Sequence, residues 1–365
     1  MTIILFLVVL AVLIFVHELG HFVVAKKSGI RVDEFAIGFP PKILSWTRGE
    51  TKYSLNLIPF GGFVKIHGEN PDEDSISGAD SARSFVNAKK WKQICVLISG
   101  VAMNIIFAWI LISISFMFGS MVPVGEGANN SYGKYIKDSQ VVLTSVVPNS
   151  PAEKAGLKQG DRLLIVDSLT GASLTTTAVI DDISKSVKEQ IEVTFERAGK
   201  TLNLKITPEL NSVEKRKVIG IYMENVGVVK LNPILALWEG GKLTIDTFKQ
   251  VAVGLGKFAW QAVRGQANFS QVSGPVGIVG LVGDAAHFGL AYFLGFVAFI
   301  SLNLAVINLI PFPALDGGRV LFVIIEAIIR RPIKPVIVNT MNTIGFFILI
   351  GLMLVITYRD ILKFF

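Results

Sequence analysis

The chain has 365 residues, 51% of them hydrophobic and only 17% charged, with a formal net charge of +7 and a mean hydropathy of +0.56. Soluble globular proteins rarely have such a composition, whereas a protein partly in lipid and partly in water does. Lys and Arg gather at the ends of apolar runs and form no basic face interleaved with aromatics, which argues for membrane topology and against nucleic-acid binding. The one cysteine, Cys95, leaves no intrachain disulfide and no thiolate cluster for a metal.

The first apolar run, residues 3–25, is long enough to cross a bilayer at ~20 residues per span. It has no basic n-region and no small-residue cleavage site, so it reads as a retained helix rather than a signal peptide. Near its end stands Val16-His17-Glu18-Leu19-Gly20-His21-Phe22. His17 and His21 are four apart, so on a helix they project from one face and can grip a single metal ion. Glu18 beside them can take a proton from a water at that ion. Two imidazoles, a carboxylate base and an open coordination position make the zinc-protease arrangement. Ionisable groups inside a spanning segment are costly, and function is their default reading.

Three more runs are long enough to span: residues 94–118, 288–310 and 336–358. Lys26, Lys27 and Arg31 follow the first run, Lys89, Lys90 and Lys92 precede the second, and Arg319, Arg330, Arg331 and Lys334 follow the third. The positive-inside rule then puts residues 26–92 and 319–334 in the cytoplasm, and both termini with residues 119–287 outside.

Within the first cytoplasmic segment, residues 42–46 and 51–57 flank Arg48-Gly49 and predict a β-hairpin. Ile58-Pro59-Phe60-Gly61-Gly62-Phe63-Val64 follows, too short to span and too apolar for an ordinary loop. The residues allow two placements: a dip into the membrane beside the metal site, where an edge strand could pair with an extended substrate, or a plain surface hairpin. Residues 68–84 read as an exposed mobile loop, with His67 solvated beside it. In the second run, Gly100 and Asn104 read as helix-packing residues.

Outside, Ser150-Pro151 opens a short helix, with Ser as N-cap and Pro at its first position, and Gly156 ends it. Gly160-Asp161 turns into a strand, and residues 191–197 and 201–207 form a hairpin across Gly199-Lys200. Residues 231–263 suggest amphipathic helices, either on the membrane surface or packed as a linker. The third run ends in Asn303, Asn308, Pro311, Pro313 and Asp316-Gly317-Gly318. The prolines and glycines break the helix there, on the face where His17 and His21 end. Asp316 can cap the next helix or complete a His₂-carboxylate site.

Taken together, these residues resemble the site-2 protease family of intramembrane zinc metalloproteases, and within it the bacterial regulator of sigma-E protease branch. The anchors are His17-Glu18-Leu19-Gly20-His21, Pro59-Phe60-Gly61-Gly62, Ser150-Pro151-Ala152 with Ala155-Gly156-Leu157 and Gly160-Asp161, Ser273-Gly274-Pro275-Val276-Gly277, and Asn308, Pro311 and Leu315-Asp316-Gly317. The resemblance implies zinc held by His17, His21 and Asp316, with Glu18 as the catalytic base. It implies substrate contacts from Asn303, Asn308 and Pro311, and a membrane-entering β-structure at Gly61 and Gly62. It also implies a PDZ domain with Ile219, Gly220 and Ile221 as the peptide-binding strand. Sigma-E-type members often carry two such domains, and this chain has room for one.

The fold expected is a polytopic α-helical membrane protein with four transmembrane helices, a cytoplasmic-side membrane-associated β-hairpin and an inserted extracytoplasmic β-rich PDZ domain. Its parts are residues 1–118, 122–225 (PDZ-like), 226–287 (amphipathic or linker) and 288–365. The expected substrates are single-span membrane proteins, pre-trimmed by another protease, and the expected location is a bacterial inner membrane. The rivals are a catalytically inactive membrane adaptor and a metal transporter. The transporter would need polar residues near the midplane of several helices and often an internal repeat. Here the charges gather at one end of two helices.

Overall fold

The computed structural model describes residues 2–70, 73–124, 134–197, 199–211, 216–266 and 273–362. Parts of the expected acidic loop (71–72), PDZ-like domain (125–133, 198 and 212–215) and linker (267–272) lie outside the described residues. The chain forms two compact units. One comprises residues 1–112, 237–283 and 295–365, and the other residues 113–236 and 284–294.

The first unit is built on α1 (Thr2–Lys27), β1 (Val32–Arg48), β2 (Thr51–Ile66), α2 (Glu73–Ser77) and α3 (Lys90–Phe118). After an excursion into the second unit, the chain returns in α6 (Pro233–Val263), α7 (Pro275–His287), α8 (Leu290–Leu309), α9 (Asp316–Ile329) and α10 (Pro335–Leu362). Among the described residues, α1, α3, α8 and α10 are long and apolar enough to cross a membrane. With its β-rich second unit, the chain is a membrane protein carrying a β domain. The region expected to hold several amphipathic helices is one continuous helix, α6. It contains no proline after its first residue to break it, and its glycines are tolerated within the helix.

Polar residues brace the ends of these helices. Gln93, 1% exposed, donates its side-chain amide to the carbonyls of Phe85, Val86 and Ala88, giving partners to buried carbonyls of the segment that leads into α3. Lys90 Nζ pairs with Glu326 on α9 at 2.6 Å, and Lys92 Nζ donates to the Ser28 carbonyl at 2.7 Å. The segment read as a mobile loop contains α2, and Asn87 holds it by donating to the carbonyls of Ile76 and Ser81.

The expected hairpin is longer than the sequence suggested, and each of its strands folds back on itself. Residues 34–37 lie between residues 62–65 on one side and 52–55 on the other, while residues 42–48 pair with 51–56. The order across this small sheet is therefore 62–66, 32–37, 51–56, 42–48, with 62–66 at an edge. Gly61 has φ +142, and a Cβ on Gly62 would come within 2.7 Å of the Ala36 carbonyl oxygen. The fold-back thus needs glycine at both positions. Val32, Phe35, Val64 and Ile66 of this sheet share a buried core with Ala25, Val96, Leu97 and Val323, so α1, α3 and α9 are packed onto it. At the turn, Glu50 receives both Arg83 (2.6 Å) and Lys26 (2.8 Å), and these cations hold its carboxyl down to about 2.

The second unit is a sheet in the order β3 (Ser120–Pro123), β11 (Ile221–Val229), β4 (Ile136–Val146), β5 (Arg162–Val166), β7 (Ile191–Arg197), β8 (Lys200–Ile206), with β6 (Leu169–Thr170) beside β5. β9 (Glu209–Asn211) pairs with β10 (Arg216–Val218), and α4 (Pro151–Ala155) and α5 (Thr176–Lys185) complete it. β11 runs past residue 225, so the strand pairing continues into what the sequence read as linker. The short helix forms as its residues require: Ser150 accepts from the Glu153 N–H, Pro151 stands at the start, and Gly156 closes it at φ +98. Leu143, Val179, Ile191, Val193, Phe195 and Ile206 fill the core.

Asp161, with no exposed surface, accepts from Arg197 through both carboxylate oxygens at 2.6 Å and from the Lys158 N–H at 2.8 Å. Arg197 also donates to the Gly156 carbonyl. This pair ties the β7–β8 hairpin to the end of α4. Asp161→Asn takes the charge from a buried carboxylate that faces a partly exposed guanidinium and is expected to destabilise this unit by about 2 kcal/mol. Urea denaturation of the purified full chain, followed by limited proteolysis within residues 113–236, measures it. Protection equal to wild type would show that the pair contributes little.

Candidate metal centre

The centre begins with one helical turn. On α1, His17 and His21 are both 7% exposed, and their Nε2 atoms stand 3.2 Å apart. The four-residue spacing brings them together as the sequence implied. The third group comes from the other end of the chain, where α8 stops and α9 begins. Pro311-Phe312-Pro313 leaves the helix, and Ala314 takes φ +76, a strained conformation for a residue with a Cβ. The Ala314 N–H donates to the Asn342 side chain of α10 at 3.2 Å. Gly317 and Gly318 are pressed so closely on the carbonyls of Leu309, Ile310 and Phe312 that no Cβ would fit.

Asp316 is the first residue of α9, and the capping position belongs to Leu315, whose side chain makes no cap bond. Its carboxylate turns instead to the histidines, with Oδ2 at 3.0 Å from His17 Nε2 and 3.4 Å from His21 Nε2.

These three groups fit zinc. They form the metal-capable cluster among the described residues, all ligand atoms lying within 4.8 Å of one another. Asp316 Oδ2 is buried yet makes no hydrogen bond of good geometry, as suits an oxygen whose partner is a cation. His21 Nδ1 donates to the Val96 carbonyl at 2.8 Å, which leaves the Nε2 lone pair facing Asp316. Two nitrogens and one oxygen around a common point, with a side open to a cavity, match a hydrolytic zinc site.

That cavity, of about 560 Å³, is lined by His17, Glu18, His21, Asp316, Val64 and Arg319 among others. Glu18 Oε2 accepts from the Val64 N–H at 3.0 Å, so the candidate base is held by the edge segment of the folded hairpin. Arg319 and Glu69 form an ion pair on the cavity wall. His67, expected to be solvated, has a side chain only 16% exposed and lies 3.8 Å from Asp33; both line the cavity.

The other expected site residues lie elsewhere. Asn303 donates to the Phe299 carbonyl of its own helix at 2.8 Å. Asn303, Asn308, Pro311, Gly61 and Gly62 are absent from the cavity lining. Ile219, Gly220 and Ile221 line a separate groove of about 240 Å³ in the second unit, with Ile180 and Ile183 of α5 and with Arg216 and Lys217.

Sequence reading missed two residues of α3. Asn104 has no exposed surface, and its amide nitrogen is 3.2 Å from His17 Nδ1. Gly100 lies one turn before it, where a Cβ would come within 2.7 Å of His17 Cε1 and would overlap His21 Nε2. The available signal was the four-residue spacing of Gly100 and Asn104, which matches that of the histidines. Their pairing across two helices is not visible in one sequence.

Fold and site define a multi-pass membrane protein with a buried His-His-Asp centre beside a glutamate. The model of peptidase family M50 matches residues 5–352, and the chain belongs to that family. A putative zinc metalloprotease of Clostridium perfringens is 36% identical over 370 residues, covering 99% of each chain. The regulator of sigma-W protease RasP of Bacillus subtilis is 29% identical over 440 residues, covering 100% of this chain and 99% of the relative. The zinc metalloprotease RasP of Geobacillus kaustophilus is also 29% identical over 440 residues, with 98% of the relative covered.

Gly100→Ala is expected to push the two imidazoles apart, lowering zinc affinity about 10- to 100-fold, the range seen when groups around metal ligands are disturbed. Zinc content after purification, with a melting curve to show that the fold persists, checks it. Stoichiometric zinc in the variant would mean that the rings tolerate the methyl group.

Proposed function

We propose that this zinc metalloprotease is an endopeptidase cutting single-span membrane proteins within the bilayer. The observation that carries the reading is the convergence of His17, His21 and Asp316 from two apolar segments on one cavity that also holds Glu18. His17, His21 and Asp316 would hold zinc, which supplies Lewis-acid polarisation and an activated water at neutral pH. Glu18 takes the proton of the attacking water and returns it to the leaving nitrogen as the peptide bond breaks. Its bond to the Val64 N–H fixes the carboxylate against rotation.

The folded hairpin supplies the means of holding a substrate. A peptide must leave the helical state before its carbonyl can be attacked, and an extended segment beside residues 62–66 would add to that edge by main-chain hydrogen bonds. Phe39, Ile43, Leu44, Trp46 and Leu57 expose at least two-fifths of their surface on this sheet. That apolar surface supports a sheet entering the membrane rather than lying in water. Asn303, Asn308 and Pro311 are assigned to the substrate only through the family resemblance.

The second unit is read as a single PDZ-like domain outside the membrane, with both termini on that side. The positive charges flanking the spans support this sidedness, and the protein is read as a multi-pass protein of a bacterial inner membrane. The groove at Ile219, Gly220 and Ile221, apolar with Arg216 and Lys217 at its side, suits a peptide ending in a carboxylate. The domain would act as a tether or size filter for substrates already trimmed by another protease, and the sigma-W regulator's name supports anti-sigma factors as one substrate class.

The test is co-expression with a tagged single-span substrate whose outer domain is truncated, comparing wild type with Glu18→Gln. Wild type is expected to release a shorter fragment, and Glu18→Gln to lower the rate by about 100-fold or more. Equal cleavage by both removes Glu18 from its role.

A further inference from the structure

The two histidines are held at their far nitrogens by different kinds of group. His21 Nδ1 faces the Val96 carbonyl, which can only accept, so His21 has one tautomer with its Nε2 lone pair inward. His17 Nδ1 faces the side-chain amide of Asn104 at 3.2 Å. A carboxamide offers a donor on one side and an acceptor on the other. With Nδ2 turned to His17, Nδ1 accepts and the ring proton sits on Nε2, the atom a metal needs free, 3.0 Å from Asp316 Oδ2. In that arrangement Asn104 Oδ1 is buried without any hydrogen-bond partner. A half turn of the amide brings Oδ1 onto His17 Nδ1, satisfies the orphaned oxygen and frees Nε2 to ligate.

We propose that Asn104 is a positioning residue that sets the His17 tautomer, its amide oxygen accepting from Nδ1–H when zinc occupies the centre. The inference rests on His17 being a zinc ligand. Asn104 is firmly anchored, since its own backbone carbonyl accepts from Ser301 Oγ of α8 at 2.9 Å and both residues are fully buried. The turn of α3 therefore stays in place while the amide rotates. The proton moves from Nε2 to Nδ1 of the same ring, so the imidazole remains neutral and no net charge enters the site. A carbonyl in place of Asn104 would hold the metal-binding tautomer only; an amide also stabilises the zinc-free centre.

The experiment is zinc affinity of the purified, detergent-solubilised full chain by competition with a chelator. Asn104→Leu and Asn104→Asp are compared, each also in a His17→Ala background. Asn104→Leu is expected to weaken zinc binding about 10- to 100-fold. Asn104→Asp, which still accepts, should match or exceed wild type. In the His17→Ala background the effect of Asn104→Leu should fall below about twofold, because additivity fails only for groups that act together. Melting of the zinc-free proteins checks folding, and Asn104→Ala replaces Asn104→Leu if the latter does not fold. Wild-type affinity for the apolar variant, an equal loss in both backgrounds, or an Asp variant as weak as Leu each overturns the proposal. Undiminished affinity in His17→Ala itself instead removes His17 from the metal.

Discussion

Three lone pairs brought within 3.0–3.4 Å of one another at a buried site repel unless a cation or protons lie between them. The rest of the first unit answers that demand. His17 and His21 cost nothing extra to align because one turn of α1 does it, but Asp316 must be delivered from the far end of the chain. The strained Ala314, the glycines jammed against α8 and the side chain of Asn342 combine to do this. Strain at such a point persists only where surrounding structure over-determines it, and here α8, α9 and α10 all contribute.

The same economy appears around the ligands. Polar groups of α3 occupy the outer nitrogens of both imidazoles, so no ring nitrogen is left to turn the ring away from the centre. Glu18 is immobilised by a backbone N–H of the hairpin rather than by a side chain. On the proposed function, the segment that would receive the substrate would also hold the base, so that docking of an extended peptide beside residues 62–66 and positioning of Glu18 would be linked through one short piece of backbone.

Much of this was legible in the sequence where the signal is local. Length and apolarity give four helices long and apolar enough to span among the described residues, the histidine spacing gives a shared face, and Ser150-Pro151 with Gly156 writes out a complete short helix. The Pro and Gly residues around Asp316 announced a broken helix and an inward carboxylate. What could not be read is what depends on pairing between distant segments. The hairpin strands double back where Gly38 and Gly61 take positive φ, an arrangement with no period in the sequence. Asn104 and Gly100 look like ordinary packing residues until α3 is laid against α1. His67 follows a hairpin and looks solvated, yet it is mostly buried and lines the same cavity as His17 and Glu18. Asn303, a polar residue of α8, donates from its amide to the Phe299 carbonyl of its own helix.

The most direct test of the account is the zinc content of the purified full chain, measured per mole of protein for wild type, His17→Ala and Asp316→Ala with folding verified for each. If α1 and α9 hold one ion jointly, wild type carries one zinc, and each variant loses most of it after the same mild chelation. Stoichiometric, chelator-resistant zinc in Asp316→Ala would contradict a centre shared between the two helices.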